Sequence, residues 1–82
     1  MTTILYFGRL SDLTGKTEEV LTIPPDVESA GQLRTWLDNR FETKGALLDP
    51  TIRIAINSEI ILDTESLIGA NEIALMPPVG GG

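Results

Sequence analysis

At 82 residues, 41 % of them hydrophobic and 22 % charged, the chain matches one globular domain with a single modest core and leaves no room for a second. It holds no cysteine and no histidine, which excludes a disulfide framework, a thiolate nucleophile and a Cys/His zinc site. Six basic against twelve acidic side chains give a net charge of −6, the wrong sign for a protein that neutralises phosphates, so nucleic acid is not an expected partner and other proteins are.

Ile4-Leu5-Tyr6-Phe7 is a short apolar and aromatic run that stops at Gly8, and it reads as a central strand. Leu10 and Leu13 stand three apart ahead of Gly15, which suits a single helical turn closed by that glycine and, equally, an irregular loop. From Glu18 to Ile23 the pattern is β-prone again, and Pro24-Pro25 ends it because neither proline can donate a ladder hydrogen bond. About ten residues separate the two runs, too few for a crossover helix, so the strands are expected to pair antiparallel. Glu18 and Glu19 fall on opposite faces of the second strand and read as a solvated edge, not as a paired acid–base site.

Ser29-Ala30-Gly31-Gln32 matches a capping box and predicts the start of the main helix. Ala30, Leu33, Trp36, Leu37 and Phe41 recur at helical spacing as one apolar stripe, with Arg34, Asp38, Asn39 and Glu42 expected to face out. Lys44 suits the last turn, and Gly45 is the candidate residue beyond the helix end.

After a turn at Asp49-Pro50, Ile52 to Ile56 and Glu59 to Leu62 flank Asn57-Ser58 as a hairpin. A polar stretch from Asp63 to Ser66 and a turn region from Leu67 to Asn71 lead to the last strand, Glu72 to Met76, which Pro77-Pro78 terminates. Two hairpin-like pairs around one capped helix predict an α+β roll of the β-grasp (ubiquitin-like) kind, a small mixed sheet with one main helix packed on one face. Residues 1–78 form the expected domain. Residues 79–82 form an expected flexible glycine-rich tail, because glycine has the largest ordering entropy and no side chain to bury.

A self-contained active site is hard to assemble from these residues. Ser11, Thr14 and Ser29 have no histidine to activate them, no GxxxxGK[S/T] phosphate loop exists, and Asp63 with Glu65 matches no calcium-loop spacing, so no metal site is expected. The carboxyl end differs: Gly81-Gly82 behind Pro77-Pro78 would present the α-carboxylate on a narrow, sterically bare rod able to enter another protein's active site.

Met76-Pro77-Pro78-Val79-Gly80-Gly81-Gly82 resembles the closing Φ-P-P-V-x-G-G pattern of the molybdopterin synthase small subunit family, the β-grasp sulfur carriers of molybdenum cofactor biosynthesis. The likeness runs nearly end to end. Ile4 to Gly8 is similar to the family's opening strand, Arg9 to Gly15 to its short helix, Ala55-Ile56-Asn57 to its A-V-N, and Leu67 to Ile73 to its L-x-x-G-D-E-V turn. In that turn the chain departs from the pattern, reading Gly69-Ala70-Asn71-Glu72.

The resemblance implies that a ubiquitin-activating-like adenylyltransferase adenylates the Gly82 carboxylate with Mg-ATP, and that a sulfur donor protein converts the glycyl adenylate to a thiocarboxylate (1-thioglycine). It further implies that the molybdopterin synthase large subunit accepts the tail Pro77, Pro78, Val79, Gly80 and Gly81, so that sulfur passes to cyclic pyranopterin monophosphate. The chain then needs no permanently bound cofactor and is an enzyme only as part of that complex. Phe7, Leu75 and Met76 near the last strand are the candidate interface residues. A carrier for thiamin thiazole synthesis, a ubiquitin-like protein modifier and a non-catalytic β-grasp interaction module are the alternatives. Met1 to Phe7 lacks a secretory pattern and no run reaches the roughly 20 apolar residues of a membrane span, so a cytoplasmic protein is expected.

Overall fold

The computed structural model describes residues 1–78. In chain order these form β1 (Thr2–Tyr6), α1 (Leu10–Thr14), β2 (Glu18–Leu21), α2 (Ala30–Phe41), a 3₁₀ turn (Ala46–Leu48), β3 (Arg53–Ile56), β4 (Glu59–Ile61) and β5 (Glu72–Met76). The strands make one five-stranded sheet in the order β2-β1-β5-β3-β4. β1 pairs antiparallel with β2 and parallel with β5, and β3 pairs antiparallel with both β4 and β5. This is a β-grasp, ubiquitin-like fold: a small mixed sheet with one dominant helix on one face.

Strand alternation sorts the side chains. Ile4, Tyr6, Ile54, Ile73 and Leu75 are buried on the helix-covered face, where they meet Ala30, Leu33 and Leu37 of α2, Leu10 of α1, and Leu47 of the 3₁₀ turn. Burying these eight aliphatic residues, Tyr6 and Ala30 is what holds so small a domain together. The opposite face carries Leu5, Ala55, Ala74, Met76 and the 60 %-exposed Ile60, brought side by side by the pairings Leu5↔Ala74, Ala74↔Ala55 and Ala55↔Ile60.

The capping box forms as predicted. Gln32 N–H donates to Ser29 Oγ at 3.2 Å, and the Gln32 side-chain oxygen accepts from Ser29 N–H at 3.1 Å. The neighbouring helix amides of Ala30 and Gly31 donate to the carbonyls of Glu65 and Asp63, so the polar stretch after β4 closes the rest of the helix start.

Two expectations about α2 need correction. The helix stops at Phe41 with Glu42 as its left-handed cap, so Lys44 lies outside it and Gly45 instead opens the 3₁₀ turn. Arg34 and Asp38, expected outside, are buried, 6 % and 7 % exposed. Trp36 and Phe41 lie at the margin of the core, partly buried and packed against it.

One cause underlies both corrections. The Asp38 carboxylate accepts from Thr43 Oγ1, Gly45 N–H and Leu47 N–H, and its backbone carbonyl accepts from Thr43 N–H, which folds the chain back on the helix end. These donors, Thr43 foremost, hold its carboxyl below the usual carboxylate range against the cost of burial. Arg34 lies one turn earlier on the same side. Its Nε meets Asp63 Oδ1 at 2.8 Å, Nη1 donates to the carbonyls of Leu47 and Asp49, and Nη2 donates to that of Ile52. One guanidinium thus satisfies the carbonyls of a segment that has no ladder partner.

The β3–β4 hairpin turns at Asn57 and Ser58, both left-handed at φ 50° and 73°, which is the pattern of a two-residue type I′ turn. Asn57 also organises the turn before β5. Its Oδ1 accepts from the amides of Asn71 and Glu72 at 2.9 and 3.1 Å, and its Nδ2 donates to Gly69 O at 3.1 Å. That side-chain bracket shapes the turn where Gly69-Ala70-Asn71 departs from the family pattern.

Candidate functional site

The sheet topology determines where the carboxyl end leaves the domain. β5 lies between β1 and β3, and its parallel ladder with β1 continues one residue further through Phe7 N–H to Leu75 O at 3.1 Å. Pro77 and Pro78 therefore emerge beside the β1–α1 turn. They line a surface groove with Pro50, Thr51 and Arg53, opposite whose strand Met76 is registered. Both prolines are half-buried. The remaining tail residues singled out from the sequence, Val79, Gly80, Gly81 and Gly82, lie outside the described residues.

The three interface residues anticipated near the last strand separate by environment. Phe7 is 47 % exposed, Met76 is half-buried on the open face, and Leu75 is fully buried in the core. Leu75 is corrected accordingly: strand alternation turns it under α2, where no partner can touch it. The open face instead presents Leu5, Ile60 and Met76 around two alanines, Ala55 and Ala74, whose small side chains leave the sheet flat there. Ile60 is an exposed apolar residue that the hairpin pattern contains and that the sequence analysis does not single out; its signal is its place two residues before the still more exposed Leu62, on the outward phase of the strand.

The ionisable clusters outside the tail are structural. Tyr6 donates its hydroxyl to Glu19, and Arg40 binds the same carboxylate at 2.7 and 2.8 Å. Burial, followed by that negative partner, pushes the Tyr6 phenol far above its ordinary value, so its proton stays on oxygen. Among the described residues no group of His, Cys, Asp or Glu is placed to hold a metal ion, and no helix is long and apolar enough to cross a membrane. The described residues therefore present a sheet face with an apolar centre, and the Pro77-Pro78 exit beside it.

The family profile described as the ThiS family matches residues 4–82. The chain belongs to the ThiS family. It is thus a β-grasp sulfur-carrier protein, a small non-catalytic component of a sulfurtransferase-type system whose usual partner is a larger catalytic subunit.

Similarity to individual proteins points the same way. The molybdopterin synthase sulfur carrier subunit of Pyrenophora tritici-repentis is 33 % identical over 84 residues, covering 96 % of this chain and 87 % of that protein. A Pyrococcus furiosus structure described as molybdopterin converting factor, subunit 1, superposes with a TM-score of 0.77 at 24 % identity, covering 95 % of this chain and 97 % of that one. The small archaeal modifier protein 1 of Haloferax volcanii superposes with a TM-score of 0.73 at 22 % identity, covering 95 % and 97 %. Both structural likenesses are likenesses of fold.

Proposed function

We propose that this chain is the sulfur carrier of a molybdopterin synthase, with the Gly82 carboxyl as the group that carries the sulfur. The observation that supports this most is the Met76-Pro77-Pro78-Val79-Gly80-Gly81-Gly82 ending, which follows directly from a central strand beside a sheet face with an apolar centre. The sulfur carrier subunit of Pyrenophora tritici-repentis, similar over nearly its whole length, supports the choice of acceptor.

The chemistry asks little of the chain itself. A carboxylate resists nucleophilic attack, so an adenylyltransferase of the ubiquitin-activating type joins the Gly82 carboxylate to the α-phosphoryl group of Mg-ATP, releasing pyrophosphate. Sulfide-level sulfur from a donor protein then attacks the acyl carbon and displaces AMP, leaving a C-terminal thiocarboxylate; where the donor holds the sulfur as a persulfide, the acyl disulfide first formed is cleaved by thiols, which supply the two electrons. Seated in the large subunit, the thiocarboxylate sulfur attacks a side-chain carbon of cyclic pyranopterin monophosphate while a C–O bond at that carbon breaks, its oxygen leaving as water or with the opened phosphate ester, and hydrolysis of the resulting thioester leaves the sulfur on the pterin and returns Gly82 to a carboxylate. Glycines at 80, 81 and 82 bring no side chain into a partner's channel, and cationic side chains of the partner receive the terminal charge. Phe7, Met76 and the open sheet face provide the docking surface, with Leu5 and Ile60 extending it.

The test is the mass of the C-terminal fragment from protein isolated from cells making molybdenum cofactor. Exchange of one oxygen for sulfur adds about 16 Da, as does methionine oxidation, so the fragment must also react with a thiol-selective reagent. A reactive increment on Gly82, absent when Gly82 is deleted, supports the proposal. An unmodified tail in the presence of ATP, activating enzyme and sulfur donor overturns it, and stable lysine adducts of Gly82 would assign the chain to protein modification instead.

A further inference from the structure

We infer that Gly8 is a positioning residue for the C-terminal tail: the missing side chain in the turn after β1 leaves the space into which Pro77 packs, and so sets the direction in which the chain leaves the sheet. Gly8 adopts a left-handed backbone at φ +54°, and a Cβ there would lie 3.0 Å from Pro77 Cγ and 3.8 Å from Pro77 Cδ. A separation of 3.0 Å is tighter than ordinary van der Waals contact, so the neighbouring atoms must give by a few tenths of an ångström.

The Gly8 side is fastened. Its carbonyl accepts from both the amide and the hydroxyl of Ser11, at 3.1 and 2.8 Å, which ties it to the first turn of α1. The residue before it is held to β5 through Phe7 N–H and Leu75 O, and Leu10, just beyond, is fully buried. Pro77 is held less firmly. It stands one residue past the last strand pair, Arg53↔Met76, and has no N–H with which to continue the ladder. A side chain at residue 8 is therefore accommodated by displacement of Pro77, and the stiff Pro77-Pro78 pair carries that displacement into the residues that follow.

The geometric part of this inference stands on the contact alone; its consequence for activity rests on the reading of Gly82 as the activated residue. The informative variant is Gly8→Asn in the full chain, because asparagine tolerates left-handed backbone and so adds the Cβ with little strain. Two readouts are taken. One is NMR: Gly8 Hα to Pro77 Hγ cross-peaks in the wild type, and the amide shifts of Val79 and Gly80 in the variant. The other is steady-state adenylation by a ubiquitin-activating-like adenylyltransferase with Mg-ATP, with the carrier as varied substrate.

The expected result is displaced Val79 and Gly80 amide shifts, with kcat about tenfold lower and the KM for the carrier within about twofold, since a misdirected tail spoils placement while the docking face is unchanged. Adding Pro77→Ala, which removes the ring carbons that collide, should recover kcat by about threefold or more. Gly31→Ala is the control for stability alone, because a Cβ there would meet Asp63 O at 3.3 Å and not Pro77, and it should leave kcat unchanged. Tail shifts in Gly8→Asn that match the wild type overturn the inference, as does a loss of activity confined to KM or shared by Gly31→Ala. If the wild-type chain is not adenylated at all, the functional reading falls, and the NMR readout alone decides whether Gly8 positions the tail.

Discussion

Arg40 on α2 grips Glu19 on β2 through two guanidinium hydrogen bonds, 2.7 Å to Oε1 and 2.8 Å to Oε2. The carboxylate also accepts from the Tyr6 hydroxyl and has Lys16 Nζ 3.5 Å away, and its side chain is only 9 % exposed. The solvated edge expected at Glu18-Glu19 thus holds for Glu18 alone. Glu19 ties the edge strand, the central strand and the main helix to one another. Arg40 first, and Tyr6 after it, lower the Glu19 carboxyl from 4.5 to about 2.

A pH dependence with a definite sign follows. Because the folded value lies below the unfolded one, the stabilisation is fully present above pH 4.5 and is lost as pH falls toward 2. Discounted for solvent screening, it amounts to about 1–2 kcal/mol. Urea unfolding of wild type and Glu19→Gln should differ by that amount at neutral pH and converge in acid. A difference that stays constant from neutral pH down to pH 2.5 would contradict the assignment.

Arg34 is the buried charge on which the segment between α2 and β3 depends. Replacing it with leucine leaves the carbonyls of Leu47 and Ile52 without their donor, at a cost of about 2–4 kcal/mol. Lysine should not restore the loss, since a point charge cannot reach diverging acceptors as a planar fork does. Urea-unfolding free energies of both variants within about 1 kcal/mol of wild type would show that the segment holds its shape by packing alone.

Asp38→Ala removes the acceptor for the amides of Gly45 and Leu47. The expected loss is about 2–3 kcal/mol, with faster hydrogen exchange at those two amides than elsewhere in the domain. Unchanged exchange there would mean that other acceptors replace the carboxylate.

Phe7 and Leu75 should respond oppositely to truncation. Phe7→Ala is expected to keep the melting temperature within a few degrees while weakening association with the large subunit about tenfold. Leu75→Ala, by opening a cavity under α2, should cost about 2–5 kcal/mol of stability and affect binding only through folding. Calorimetric titration together with thermal melts separates the two, and a Phe7→Ala variant that binds like wild type would remove that residue from the interface.

The elements of this chain were legible where local chemistry is self-sufficient. Ser29 and Gln32 complete a capping box without help from distant residues, Pro77-Pro78 ends β5 whatever surrounds it, and ten residues between β1 and β2 force antiparallel pairing. The same local logic marked the glycine-rich end as the part to watch. Arg34 and Asp38 were misplaced because charge was taken as exposure. Yet Ala30, Leu33, Arg34, Leu37, Asp38 and Phe41 follow the i, i+3, i+4, i+7, i+8, i+11 spacing of a single helix face, a signal that was available.

Composition, capping, strand alternation and proline placement thus determined the β-grasp class, the position of the helix and the tail motif, because each acts over a few residues. Only the tertiary structure decided that Leu75 is core while Phe7 is surface, that Glu19, Asp38 and Arg34 are held by partners 21, 7 and 18 residues away, and that the turn at Gly8 lies against Pro77. Those relationships arise from the parallel pairing of the first and last strands and from the helix crossing beneath them. A buried charge keeps its ionised form only where such distant donors and acceptors converge, and that convergence belongs to the folded chain as a whole.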